Sequence, residues 1–360
     1  METKDHIIVA GGYGHVGQTI CRVLGERFPG KVFAAGRSYE RAEQFCLSTG
    51  GKVKPMQLDV NEGVAPEIWE HTKLVIMCLD QMDTTFASTC LENGIHYMDI
   101  SANYAFLSQV ERLHAAAEAN RATAILSVGL TPGLSNLMAS HASSLMEETR
   151  EIHISIMLGL GDEHGQAAIE WTVDQLGGHF PIVQQGDREV VASFTNGRKT
   201  DFGAGIGRRT AYRFNFSDQH ILTKTLGVPV VSTRLCFDSG FVTNTLALMR
   251  RVGIFHLLKI RPIRNAVVHM LGKTKLGADK YAVKVDAFGS TNQQNVHIEC
   301  MLSGKREAYI TARAAAAVAE HVYAAEPPHG VFHIEQLFDL NSMLPQMQDE
   351  IYLEIREFFP

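Results

Sequence analysis

Cysteine is present but never clustered. The six, at positions 21, 46, 78, 90, 236 and 300, are scattered and form no C-x-x-C, which argues against a disulfide framework and a zinc cluster and fits a reducing cytoplasm as the expected compartment. Long runs of one charge are missing as well. Charged residues make up 20% of the chain and the formal net charge is −6, so neither nucleic acid nor an anionic membrane is an expected partner, and small molecules are. No apolar run is long enough to cross a bilayer, because the Ala-rich stretch near 312–325 is broken by Arg313, Glu320 and His321. The first apolar strand starts within six residues of Met1, which leaves no room for a secretory signal. A G-x-S-x-G nucleophile signature, internal repeats and low-complexity linkers are also absent. What remains is a globular chain of 360 residues, 45% of them hydrophobic, sized for two or three domains.

The most informative stretch is Ile7-Ile8-Val9-Ala10-Gly11-Gly12-Tyr13-Gly14-His15-Val16-Gly17. It reads as a buried strand, a glycine turn and the start of a helix from His15 to Phe28, with Val16, Ile20, Val23 and Leu24 on one face and Pro29-Gly30 ending it. Gly12, Gly14 and Gly17 make G-x-G-x-x-G: the first for the tight turn, the second to admit a pyrophosphate, the third to let helix pack on strand. Phosphates would sit at the helix N-terminus, where free N–H groups and the helix dipole favour an anion. Gly12, Tyr13, Gly14, His15, Val16 and Gly17 are therefore the candidate phosphate-binding residues.

A second strand, Lys31 to Ala35, ends in Gly36-Arg37-Ser38. The twentieth residue beyond Gly17 is Arg37, where an NAD-preferring fold would place an acid on the ribose 2′-hydroxyl. A guanidinium suits a 2′-phosphate instead, so Arg37 and Ser38 point to NADP(H), although Arg37 also reads as a solvated residue opening the helix Tyr39 to Leu47. A third strand, Val53 to Leu58, closes in Asp59-Val60, which could meet the adenine; Asp59 equally suits a cap on the next turn. Lys73 to Leu79 is a near-continuous apolar run, as in a central parallel strand, and Leu79 at its end should face the cofactor. After a helix from Thr84 to Asn93 come the strand Ile95 to Ser101, a helix from Tyr104 to about Ala119, and the strand Ala122 to Val128. Six strands alternating with helices predict an α/β Rossmann fold, a doubly wound parallel sheet with ligands at the carboxyl ends of its strands.

Around Leu134 the pattern changes. Strands are expected at Glu151 to Gly161, Arg188 to Thr195 and Thr210 to Phe216, and a helix at His164 to Leu176. Leu246 to Met270 reads as helix interrupted at Pro262, with Arg250, Arg251, Lys259, Arg261 and Arg264 on an outer face. Lys280 to Phe288 and Asn295 to Leu302 read as paired strands joined through Gly289-Ser290-Thr291-Asn292. These pieces suit an α+β domain. A helix from Ile310 to Ala325 follows, and the tail Met343 to Phe359 is expected to return to the first domain.

Taken together, GGYGHVG, AAGRS, LDV, HYMDIS, SVGLTPGLSNLMA and the late PHGV-FHIE resemble the saccharopine dehydrogenase-like family of reductases over about the first 140 residues and the closing segment. The resemblance implies an NADP-binding domain at 1–135 completed by about 310–360, an inserted substrate and dimerisation domain at 136–309, and a reaction site in the cleft between them. It also implies hydride transfer to or from a C=N bond of an amine-derived small molecule. The turn that resembles Cys-Gly-Leu-Asp-Pro-Gly in saccharopine reductases is Val128-Gly129-Leu130-Thr131-Pro132-Gly133 here, which argues against saccharopine itself as substrate.

Such chemistry needs a fixed nicotinamide face, a cation-tolerant pocket and an acid for nitrogen. Asp99, at the carboxyl end of a parallel strand, and Tyr104, in the next helix's first turn, are the catalytic candidates; Asp99 equally suits capping or holding backbone near Ser101, a candidate cofactor contact, and Tyr104 packing. Thr131, His164, Trp171 and Arg213 are the substrate-binding candidates, Arg213 as a carboxylate clamp, a role open also to Arg208 and Arg209. His164 as a cap and Trp171 as core are the alternatives. His329 and His333 have H-x-x-x-H spacing but straddle a glycine, so no metal site is expected. The whole reads as a cytoplasmic homodimeric NADP(H)-dependent oxidoreductase. The alternatives are a non-catalytic NADP-sensing protein, an enoyl or carbonyl reductase on the same fold, or a bound redox relay in a non-redox condensation.

Overall fold

The computed structural model describes residues 4–62, 65–163, 165–184, 187–203, 205–273 and 277–359. The chain divides into two compact units, Met1–Leu134 with Ala308–Phe338, and Ser135–Glu307 with Asp339–Pro360. The first carries strands β1 (His6–Ala10), β2 (Val32–Gly36), β3 (Val53–Gln57), β4 (Thr72–Met77), β5 (His96–Asp99) and β6 (Thr123–Leu126). The second carries β7 (Glu148–Leu158), β8 (His179–Gln184), β9 (Asp187–Ala192), β10 (Arg198–Asp201), β11 (Arg208–Arg213), β12 (Val230–Phe237), β13 (Lys280–Thr291) and β14 (Gln294–Lys305). Two late strands follow, β15 (Gly330–His333) in the first sheet and β16 (Ile351–Phe358) in the second.

The first sheet is parallel throughout, in the order β15-β6-β5-β4-β1-β2-β3. Ile7, Ile8, Val9, Leu74, Val75, Ile76 and Met77 are fully buried, as strands covered on both faces require. Because β1 has β2 on one side and β4 on the other, the strand order reverses there, and the carboxyl ends of β1 and β4 flank the ligand crevice of this sheet type. The architecture is therefore the expected Rossmann sheet, with a seventh strand that four residues, Gly-Val-Phe-His, were too short to announce.

The second sheet is mixed. β7 and β12 run parallel, whereas β7 with β13, β13 with β14 and β14 with β16 are antiparallel. Strand alternation gives it two characters. Ile152, Ile154, Ile156, Val283, Val285, Ala287, Ile298 and Cys300 are buried on one face, against which the helix Ser135–Ser144 packs. His153, Ser155, Lys284, Asp286 and Glu299 share the other face, placed there by the registers Ser155↔Lys284, His153↔Asp286 and Asp286↔Glu299.

Several expectations are corrected. The tail does not return to the first sheet: β16 pairs with β14, setting Arg356 opposite Glu299, and opposite charges across a strand pair favour that register. The β13–β14 turn is Asn292-Gln293, both at positive φ, as a two-residue hairpin turn demands; Gly289 lies inside the strand at a bulge against β7. Pro262 does not interrupt a helix. It sits in the first turn of the helix Arg261–Lys273, where its missing N–H costs nothing, and the break falls at Gly253, φ +79°, after the helix Gly240–Arg251. Val230–Phe237, for which no element was expected, is β12, its polar Ser232, Thr233 and Arg234 all buried.

Candidate functional site

The carboxyl end of β1 turns at Gly11, φ +81°, not at Gly12. Gly12 is required for space instead, since a Cβ there would lie 2.6 Å from the Cα and 3.0 Å from the Cβ of Ala34 in β2. Gly17 serves the same need on the helix side, where a Cβ would lie 2.8 Å from the Cα of Gly12. The helix α1 (His15–Arg27) thus begins against the strand, with Gly14 as its N-cap and no side chain capping it among the described residues. Gly14 and His15 are exposed and Val16 half-buried. An open helix start with bare backbone N–H groups fits a pyrophosphate.

Next to this cradle Tyr13 bridges to the end of β2. Its hydroxyl accepts a hydrogen bond from the Ser38 N–H at 3.2 Å, and its ring lies beside Gly36, where a Cβ would be 2.5 Å from the Tyr13 hydroxyl. Arg37 is exposed, and its carbonyl accepts from Gln57 at 3.3 Å. Ser38 caps the helix α2 (Tyr39–Leu47), accepting from the Arg41 N–H, and donates to Glu40 at 2.9 Å. The Arg41 guanidinium lies 4.9 Å from the Tyr13 ring centroid. Two guanidiniums, Arg37 and Arg41, therefore flank this turn; Arg41 lies in the first turn of α2, beyond the strand-end position by which the sequence signals cofactor choice. Asp59 accepts from the N–H and side-chain amide of Asn61 at 3.0 and 3.1 Å, a local cap, with half-buried Val60 beside it. Leu79 folds over the β1 turn, its Cδ2 2.9 Å from where a Gly11 Cβ would be.

At the carboxyl end of β5, Asp99 is 1% exposed. Its Oδ2 accepts from the Tyr97 hydroxyl and from Gln81 at 3.1 Å, and its Oδ1 accepts from the Ser101 N–H at 2.7 Å. Burial pushes its carboxyl up to about 6; Tyr97, Ser101 and Gln81 pull against that, and Asp80 adds to it. A buried carboxyl with these partners orients the strand end. Tyr104 opens the helix Tyr104–Val110, half-buried, behind Asn103 as cap. The raised value has a measurable sign. Between an unfolded value of 3.8 and a folded value of about 6 the folded protein binds the extra proton, so Asp99 makes stability fall as pH rises through that window, by about 3 kcal/mol. Urea unfolding should show wild type losing that much relative to Asp99→Asn between about pH 4 and pH 7. A pH-independent difference would refute the raised value.

A second polar line crosses the neighbouring strand ends. Ser127 follows β6 with φ +60°, a backbone conformation that a non-glycine residue adopts at a cost, and is fully buried. Its Oγ lies 2.8 Å from His333 Nδ1, and His333 Nε2 lies 3.2 Å from Glu111 Oε1. Residues 111, 127 and 333 are too far apart in the chain for spacing to join them, and by spacing alone His333 pairs with His329. Thr131 is half-buried in the turn beyond, joined to Pro132 by a cis bond.

The remaining substrate candidates lie in the second unit. Trp171, on the helix Gln166–Leu176, packs its ring 5.6 Å from Phe214 and 5.2 Å from Phe216, and its indole N–H is buried with no partner among the described residues. Arg213 is 7% exposed at the end of β11, opposite Arg234, its Nε and Nη1 likewise without partners. Burial lowers its pKa, opposed by Glu189. His164 lies outside the described residues.

Residues 7–125 match the family model described as saccharopine dehydrogenase NADP binding domain. The chain is similar in fold to apo saccharopine dehydrogenase (L-Glu forming) from Saccharomyces cerevisiae, with a TM-score of 0.72 over 98% of this chain and 100% of that one, at 12% identity. A looser likeness is to the DAP dehydrogenase of C. glutamicum, TM-score 0.46, 12% identity, 96% of this chain and 98% of that one. At such identities the likeness is one of fold.

Proposed function

We propose that the chain is an NADP(H)-dependent oxidoreductase moving hydride to or from a C=N bond of an amine-derived small molecule, as a cytoplasmic homodimer; the match of residues 7–125 to the saccharopine dehydrogenase NADP binding domain supports the cofactor. The observation that carries the reading is the uncapped start of α1, held against β2 where Gly12 has room for no side chain. Bound NADPH would supply the hydride; the protein supplies position and charge. Gly12 to Gly17 would hold the pyrophosphate, Arg37, Ser38 and Arg41 the 2′-phosphate, Asp59 and Val60 the adenine, and Leu79 and Ser101 the nicotinamide side. Asp99 would act as a positioning residue, fixing Tyr97, Gln81 and the Ser101 backbone, and Tyr104 as the proton donor. Thr131, His164, Trp171 and Arg213 would bind substrate, Arg213 with two guanidinium nitrogens still to be satisfied.

The test is loss of NADPH absorbance with panels of amine and 2-oxo-acid pairs. Turnover of enoyl or simple carbonyl compounds in place of imines would move the reaction to another bond. No turnover, with assembly that changes on cofactor binding, would make the chain a sensor. For the cofactor itself, Arg37→Ala should weaken NADPH by roughly tenfold to a hundredfold, the worth of a charge-assisted contact, and leave NADH almost unchanged. Equal losses for both in a fluorescence titration would sink the 2′-phosphate assignment.

A further inference from the structure

The helices Gly240–Arg251 and Arg261–Lys273 and the 3-10 turn Ile254–Lys259 between them, all in the second unit, bury Phe255 but carry several other apolar side chains outward. Phe241 is 82% exposed, Leu248 59% and Val252 61%, and their spacings of seven and four put them in one stripe. Leu257, Ile260 and Met270, about half exposed, extend the apolar surface into the turn and the second helix. Along that helix Pro262, Ile263, Ala266, Val267 and Met270 line a shallow apolar groove.

The charge of this segment runs against that of the chain. From Gly240 to Ala278 there is no Asp or Glu, in a protein of net charge −6. Arg250 is engaged with the carbonyls of Gly177 and Gly178, and Arg264 with Asp174 and Glu170 on the adjacent helix. Arg251, Lys259 and Arg261 are exposed beside the apolar stripe. A two-fold contact with a second copy would bring these cations against their own equivalents, so the occupant should be anionic and apolar at once.

We propose that this surface docks on an anionic lipid bilayer, with Phe241, Leu248 and Val252 at the boundary of headgroups and acyl chains and Arg251, Lys259 and Arg261 on lipid phosphates. No described helix is long and apolar enough to cross a membrane, so the contact is interfacial. Whole-chain composition concealed it, because the net charge averages a basic, acid-free segment into an acidic protein. The docking stands independently of what the cofactor site reduces.

The test is flotation of the full chain with vesicles of phosphatidylcholine, alone or mixed with phosphatidylglycerol, at low and high salt. Binding should be about tenfold stronger on the anionic vesicles and be lost at high salt. Phe241→Ser with Leu248→Ser, and separately Arg251→Glu with Lys259→Glu and Arg261→Glu, should each reduce it about tenfold while NADPH affinity, the check on folding, stays unchanged. No binding, or equal binding to both vesicles, overturns the proposal. So does self-association in sedimentation velocity that the apolar pair of substitutions abolishes, which would give the face to a second copy. Retention on polyglutamate without vesicle binding would give it to an acidic protein.

Discussion

Gly12→Val should abolish NADPH binding and lower stability by about 3 kcal/mol or more, the upper range for overpacking. The size of the effect follows from what the new atoms would strike. A Cβ at residue 12 would lie 2.6 Å from the Cα of Ala34 and 2.8 Å from the carbonyl oxygen of Val9. Both are main-chain atoms of the β1–β2 pair, where Val9 and Ala34 are register partners and both are fully buried. Neither can move without sliding two interior strands, so relief comes only by displacing the turn and the start of α1 with it. Gly240 is the internal control. Nothing lies within 4 Å of a Cβ there, and Gly240→Ala should be close to neutral. Chemical unfolding together with NADPH titration separates the two, and a Gly12→Val protein with wild-type stability and affinity would refute the cradle.

How much of this could be read from residues depends on the range of the forces involved. The first sheet was legible because a buried parallel strand is written in consecutive residues: Ile7-Ile8-Val9 and Leu74 to Met77 are apolar without interruption and fully buried. β15 was not, because four residues carry too little pattern and its place is fixed by pairing with β6, some two hundred residues away in the chain. β12 was hidden by chemistry, since Ser232, Thr233 and Arg234 read as surface yet are buried with partners that folding brings to them: Arg234 donates to Asn196 in the loop before β10 and to Ser232 of its own strand, and Thr233 donates to Asp218 at the start of the helix Asp218–Thr225. The site divides the same way. Glycines and a strand-end arginine announce a phosphate cradle within a dozen or two residues, whereas Ser127, His333 and Glu111 meet only after folding. Asp99 was visible as a strand-end acid, but its burial and its three hydrogen-bond donors were not.

Lys284→Met is expected to cost about 3–5 kcal/mol at neutral pH, the usual loss when one member of a buried ionic group is removed. Lys284 and Asp286 are 6% and 4% exposed on the polar face of the second sheet. The ammonium lies 2.7 Å from Glu299 and 3.3 Å from Asp286, while His297 Nε2 lies 3.1 Å and Arg198 4.0 Å from the Asp286 carboxylate. Ligand atoms of Asp286, His297 and Glu299 converge within 4.8 Å of one another, and Lys284 is the resident cation among them. Burial alone would push the Asp286 carboxyl up, but the His297 hydrogen bond, Lys284 and Arg198 outweigh it and hold the carboxyl below its ordinary value. A depressed carboxyl contributes stability above its unfolded pKa and loses it as pH falls through the folded one. Without Lys284 the carboxyl takes up its proton at a higher pH than in wild type, so the deficit of Lys284→Met should be greatest at neutral pH and narrow toward about pH 4. Adding Asp286→Asn and Glu299→Gln to the variant removes the stranded charges and should recover much of the loss. A deficit that ignores both pH and those added changes would place the role of Lys284 in the packing of its aliphatic stem, and the sheet's charged row would then be a consequence of folding and not a contributor to it.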